Sequence, residues 1–327
     1  MSLNLPPFRP RFPWWGPDLQ TLANFLRPPS KELAPHTSER LTVELRDGTG
    51  DRLACMLDRP SVPAPNKPLT ILVHGLTGSQ ESSYAISMAR CLLDAGERVL
   101  RVNLRGAGPS RATCVGQYYA GRSQDFRNLL ANLPTGLKTD GVRAVGYSLG
   151  AAMLLKYLGE EGEAAPVLAA AAISAPIDLS ATCSRMLQRR NAVYHRHLLR
   201  QMKVEATAPG ARLEESERSA ILGSRTIREY DDVFIAPRHG FAGADDYYER
   251  CKPVRFMGGI RVPTLVLAAL DDPWIPGVLY SRYDWMSNKA LVALLPKQGG
   301  HVGFHGPGGR LPWSDRAAAQ FFEVKSA

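Results

Sequence analysis

"RAVGYSLGAAMLLKYL", residues 143–158, passes from strand-forming to helix-forming residues across a serine set between two glycines. Gly146-Tyr147-Ser148-Leu149-Gly150 is G-x-S-x-G at a strand-to-helix junction, the pattern of a nucleophile elbow. The serine of such an elbow sits on a tight, strained turn. A Cβ at position 146 or 150 would crowd the neighbouring backbone, and glycine removes it. A structural turn without chemistry is the bland alternative, and the flanking runs "VRAV" and "AAMLLKYL" argue for the elbow.

Working outward, strand-like and helix-like runs alternate. "LTVELR" (41–46) and "RLACMLD" (52–58) flank the turn signal "DGTGD" and predict an N-terminal hairpin. The strand "LTILVHG" (69–75), a helix ending near Gly96, the strand "RVLRVNL", a helix around "DFRNLLANL" and the strand "VRAVGY" follow. Then come the helix "LGAAMLLKYLG" and the strand "VLAAAAISA" (167–175). Near-continuous apolar strands separated by helices predict an α/β fold, with a mostly parallel central sheet flanked by helices. The alternation stops at Pro176 and resumes with "VPTLVLAAL" (262–270), a helix around 277–287, the strand "ALVALLP" and the helix "WSDRAAAQFFEV". The intervening stretch is charged and helix-leaning, which predicts a helical cap inserted between two core strands. The expected organisation is an N-terminal arm over 1–40, a first core part over 41–176, the cap over 177–256 and a second core part over 257–327.

A serine hydroxyl needs a base, and the base needs a group to orient it. In this topology the order is serine, acid, histidine. The acid should follow "VPTLVLAAL", where Asp271 and Asp272 stand; Asp272, directly before Pro273-Trp274-Ile275-Pro276, is preferred and Asp271 is the alternative. The base should lie after the last core strand, where "LPKQGGHVGFHG" offers His301, with His305 as the alternative. His74 precedes the serine and ends a strand, so it is read as orienting the loop after it. That loop, "HGLTGS", stands where half an oxyanion hole is built, and the expected donors are the backbone N–H groups of Leu76 and Leu149.

With these parts in this order the chain resembles the YheT-like family of α/β-hydrolases. "WWGPDLQTL", "NLRGAGPS", "YYAGRSQDF" and "TIREYDDVFIAPRHGFAGADDYYERC" resemble segments of that family, and "ALDDPWIP" and "GGHVGF" carry the acid and base. Asp18, Ala107 and Cys251 depart from its usual residues. The resemblance implies an α/β-hydrolase fold and hydrolysis of carboxylic esters of short to medium acyl chains, with no cofactor; the spacing of Cys, His and Asp residues points to no metal site. Acyl transfer to an alcohol and a catalytically silent ligand-binding scaffold are the rival readings.

The rest of the sequence bounds partners and place. A net charge of +9 arises mostly from dispersed arginine without a nucleic-acid signature, so no nucleic-acid partner is expected. Residues 184–203 hold six Lys or Arg and no acid. They are read as a solvated helix face, including His195 and His197, with weak contact to a membrane surface as the other reading. Five scattered cysteines without a CxxC pair, and no signal-peptide pattern at the N-terminus, point to a cytoplasmic protein with reduced thiols. Trp14 and Trp15 are expected to pack the arm on the body. Asp231-Asp232 and Asp245-Asp246 are expected in cap salt bridges and helix starts.

Overall fold

A computed structural model describes residues 5–326 of the 327-residue chain. Among the described residues, eight strands form one sheet in the order β1-β2-β4-β3-β5-β6-β7-β8. They are β1 (Thr37–Glu44), β2 (Arg52–Arg59), β3 (Leu69–Val73), β4 (Val99–Val102), β5 (Val142–Tyr147), β6 (Ala169–Ile173), β7 (Thr264–Leu267) and β8 (Leu291–Leu294). β1 pairs antiparallel to β2 and β2 antiparallel to β4, and every other pairing is parallel. β3 to β7 are buried along their whole length, because helices cover both faces of the sheet. β1 and β8 are the edge strands, and β1 is mostly exposed.

One apolar layer joins the sheet to the helices Ser123–Asn132 and Leu149–Glu161. The opposite layer joins it to the helices Ser83–Asp94 and Trp313–Ser326. Four consecutive alanines in β6 leave the sheet thin at its centre, so large side chains from both layers can close on it. Register fixes what matters for function. Val73 lies opposite Gly146, Tyr147 opposite Ile173, and Ile173 opposite Leu267. The carboxyl ends of β3, β5, β6 and β7 therefore reach one edge together, where ligands of parallel sheets bind.

Helices fill the stretch between β6 and β7, among them Leu179–Met186, Ala192–Ala206, Glu215–Gly223 and Ala244–Cys251. They bury a cluster of their own that includes Leu198, Met202, Ile221, Phe234 and Tyr247, and it packs on Leu76, Leu149 and Trp274 of the core. The insertion thus roofs the carboxyl edge of the sheet.

The structure differs from the sequence reading at several places. β1 begins at Thr37, so the hairpin extends into the segment read as arm, and the arm carries a helix, Pro17–Leu26. Trp14 is buried, but Trp15 is 60% exposed and does not pack on the body. Within the basic stretch, Arg196, His197 and Arg200 are exposed, whereas His195 is buried and its Nε2 accepts the Ile227 N–H at 3.1 Å. Asp245 and Asp246 do pair with Arg228 and Arg250, and Asp232 accepts the Ala244 N–H at a helix start. Asp231 instead turns inward: a π-helical turn, Asp231–Ile235, carries it into the interior.

Candidate active site

Ser148 leaves β5 with φ 50° and ψ −120°, a strained conformation outside the favoured regions for a residue with a Cβ. Its N–H is held by the Ile173 carbonyl of β6 at 2.9 Å. A Cβ on Gly146 would lie 2.7 Å from the Ala151 Cα. One on Gly150 would meet the His74 carbonyl oxygen and lie 2.7 Å from that of Val73. Tyr147 points away from the site, buried against the Tyr84 ring at 4.5 Å between centroids. The turn therefore presents Ser148 above the sheet edge while the helix Leu149–Glu161 packs tightly under it.

The loops after β7 and β8 bring Asp272 and His301 to this serine. His301 Nε2 lies 2.9 Å from Ser148 Oγ, and His301 Nδ1 lies 2.7 Å from Asp272 Oδ2. The other carboxylate oxygen, Oδ1, accepts the N–H groups of Trp274 at 2.8 Å and Ile275 at 3.0 Å. Asp272 is buried, and the Trp274 ring stacks on the imidazole at 4.2 Å between centroids. Asp271 faces elsewhere: it accepts the Gly300 N–H at 2.9 Å, and burial raises its carboxyl pKa.

His305 does not reach the serine. Its Nε2 meets Asn24 Oδ1 at 3.0 Å, and burial, with Arg11 nearby, lowers it to about 4. His74 is also buried and neutral, lowered to about 4 by burial. Its Nε2 accepts the Leu104 N–H at 3.0 Å, which leaves Nδ1–H to donate to the Gly75 carbonyl at 2.7 Å. This histidine fastens the loop after β3 to the segment after β4.

Leu76 and Leu149 complete the arrangement. The N–H groups beside them are engaged: Gly75 donates to the Tyr84 hydroxyl at 2.9 Å and Thr77 to the Tyr118 hydroxyl at 2.7 Å. The N–H of Leu149 opens its helix, where no intrahelical acceptor exists. Among the described residues neither Leu76 nor Leu149 N–H has an acceptor. Both residues line one cavity of about 120 Å³ with Ser148 and His301. The remaining wall is mostly apolar, with Leu179, Met186, Leu198, Ile227 and Ile275 among it.

Two contributors escape sequence reading. Gln20 and Thr21, on the helix Pro17–Leu26, clasp the loop that carries the histidine. Thr21 Oγ1 accepts the His301 N–H at 2.9 Å, Gln20 Oε1 accepts the His305 N–H at 2.7 Å, and Gln20 Nε2 donates to the His305 carbonyl. That loop has left-handed backbone at Val302 and Phe304, which such external clasps sustain. The resemblance of "DLQTL" to a family segment marked the place but assigned no role. Asp231 is the second: it lines the cavity, accepts the Tyr248 hydroxyl at 2.6 Å, and burial raises it to about 7. Among the described residues no group of three His, Cys, Asp or Glu side chains is placed to hold a metal ion.

Residues 68–305 match the family model described as alpha/beta hydrolase fold. The chain is 33% identical to the Escherichia coli protein YheT over 269 residues, which covers 81% of this chain and 78% of that one. It is 30% identical to the "Medium-chain fatty acid ethyl ester synthase/esterase 2" of Saccharomyces cerevisiae over 281 residues, 78% of this chain and 62% of the yeast protein. Among solved structures, an esterase of Pyrococcus furiosus superposes with a TM-score of 0.55 at 16% identity, covering 98% of this chain and 99% of that one.

Proposed function

Since the chain belongs to the YheT-like family of α/β-hydrolases and is an ester hydrolase, we propose that it cleaves esters of short to medium acyl chains through Ser148, His301 and Asp272. The observation that carries this reading is the unbroken line Asp272–His301–Ser148, which meets two unengaged amides at one apolar cavity. Ser148 Oγ attacks the ester carbonyl as His301 Nε2 takes its proton. Asp272 Oδ2 accepts from Nδ1–H, which fixes the tautomer and stabilises the imidazolium. The oxyanion rests on the Leu76 and Leu149 N–H groups. His301 then protonates the leaving alcohol, the acyl group stays on Ser148, and water attacks with His301 again as base.

The acyl chain lies along Leu179, Met186 and Leu198, on the face that the insertion supplies as a cap. Filling that face should shorten the preferred chain. A series of p-nitrophenyl esters from acetyl to dodecanoyl tests this: Met186→Trp is expected to move the optimum to shorter chains, and an unmoved optimum would place the acyl chain elsewhere. The yeast relative's name joins ester synthesis to ester hydrolysis, and the same acyl-enzyme can pass to an alcohol. New ester formed when ethanol is added to the assay would give the partition between the two acceptors. Five unpaired thiols support a reducing, cytoplasmic setting. Among the described residues no helix is long and apolar enough to cross a membrane. The exposed Arg196 and Arg200 offer weak attraction to an anionic bilayer surface.

A further inference from the structure

The Leu76 amide belongs to the loop Gly75–Gly78, whose backbone is held on both sides. Gly75 is fixed by Tyr84 and His74 of the core, and the Gly78 N–H closes the loop on the Gly75 carbonyl at 3.1 Å. Thr77, the residue after the donor, has φ 56°, a costly region for a β-branched side chain. Its N–H is held by the Tyr118 hydroxyl at 2.7 Å, and the Tyr118 ring stands edge-on to His74.

Burial and the nearby Glu205 carboxylate together raise the Tyr118 hydroxyl well above the usual tyrosine range. Glu205 does not belong to the core. It lies on the helix Ala192–Ala206 of the insertion, and its Oε1 accepts from Gln117 Nε2 at 2.9 Å. The Arg111 guanidinium donates in turn to Gln117 Oε1 at 3.2 Å. Gln117, Tyr118 and Glu205 border a second, more polar cavity of about 60 Å³ that adjoins the first along Leu76 and Leu149. Burial holds the Glu205 carboxyl at about 7.

We propose that Tyr118 and Glu205 are positioning residues: the insertion, seated through Glu205 on Gln117 beside Tyr118, holds the Tyr118 hydroxyl on the Thr77 N–H and so aims the Leu76 amide at the oxyanion. The inference rests on the reading of Leu76 as an oxyanion donor. Its consequence is that the oxyanion hole is complete only while the insertion is seated, so a lifted insertion leaves a nucleophile without half of its oxyanion support.

The test is steady-state kinetics on p-nitrophenyl esters, with sites counted by fluorophosphonate titration. Tyr118→Phe keeps the ring and removes the hydroxyl. It should lower kcat per titrated site roughly tenfold while KM moves less than about twofold. Glu205→Leu should show a similar loss, and Glu205→Gln, whose amide oxygen still accepts from Gln117, a smaller one. The double variant Tyr118→Phe/Glu205→Leu should be no worse than the worse single, because both break one chain. Should Tyr118→Phe fail to fold, the two Glu205 variants carry the test. Unchanged kcat per site, even with lower thermal stability, would overturn the proposal, as would multiplicative losses in the double variant. Ser148→Ala separates the two readings. Turnover retained there defeats the triad, whereas an inactive Ser148→Ala beside a fully active Tyr118→Phe defeats only the relay.

Discussion

Asp272→Asn tests the electrostatic logic of the site most sharply, because the surroundings dictate how the new amide must sit. Asp272 Oδ1 accepts two backbone N–H groups, from Trp274 and Ile275. An amide NH₂ placed there would face two donors, so the asparagine oxygen takes that position. The NH₂ is thereby forced toward His301 Nδ1, where Oδ2 had accepted at 2.7 Å. The imidazole must then accept at Nδ1 and carry its proton on Nε2, which donates to Ser148 Oγ and can no longer take its proton. A reversed tautomer in a serine triad lowers kcat by about 10⁴, or about 5.5 kcal/mol of transition-state stabilisation. The amide is close in shape to the carboxylate, so the fold should persist. The assay is kcat on a p-nitrophenyl ester together with the fluorophosphonate labelling rate, with Asp271→Asn as the control. The control keeps an oxygen for the Gly300 N–H and should stay within about tenfold of the wild type. An Asp272→Asn enzyme equally active would refute the assignment of the acid.

Other expected outcomes follow from burial and clearance. Asp231 is raised by burial to about 7, so between the ordinary aspartate value and about 7 the folded protein binds a proton that the unfolded chain has lost. Its contribution is fully present at about pH 4 and is lost as pH rises to about 7, on the order of a few kcal/mol. Asp231→Asn removes that loss, and its oxygen can still accept from Tyr248; urea midpoints should rise relative to wild type between about pH 4 and about pH 8. The difference between the two proteins is the readout, because buried His74 and His305 act in the opposite sense, and a pH-independent difference would contradict the placement of Asp231. Gly150→Ala drives a Cβ into the carbonyl oxygens of His74 and Val73 and should cost about 3 kcal/mol, read as a lower urea midpoint and soluble yield. Wild-type stability there would mean that the elbow and β3 are not in close contact.

The sheet was legible because parallel strands covered on both faces read as unbroken apolar runs, from "LTILV" to "TLVL". The candidate site was legible because the topology dictates an order, and Ser148, Asp272 and His301 follow β5, β7 and β8 in that order. What escaped depends on tertiary contact. The helix Pro17–Leu26 follows a Pro-rich stretch, and buried Gln20 gives no apolar signal of its inward face. Asp231 reads as one more surface acid, and only the π-helical turn carries it inward beside Tyr248. His195 sits among arginines, yet the same helix buries Leu198, Leu199 and Met202, which places its ring toward Ile227. Charged surroundings in sequence conceal a buried polar partner whenever the partner lies on another element.

Whether Ser148 is an activated and accessible nucleophile is decided by fluorophosphonate treatment of the purified protein and of Ser148→Ala, followed by intact mass. One phosphonyl adduct is expected on the wild type and none on the variant, with ester turnover abolished in the variant. An adduct on Ser148→Ala, or a wild type that turns over esters without taking the label at Ser148, would contradict the assignment of Ser148.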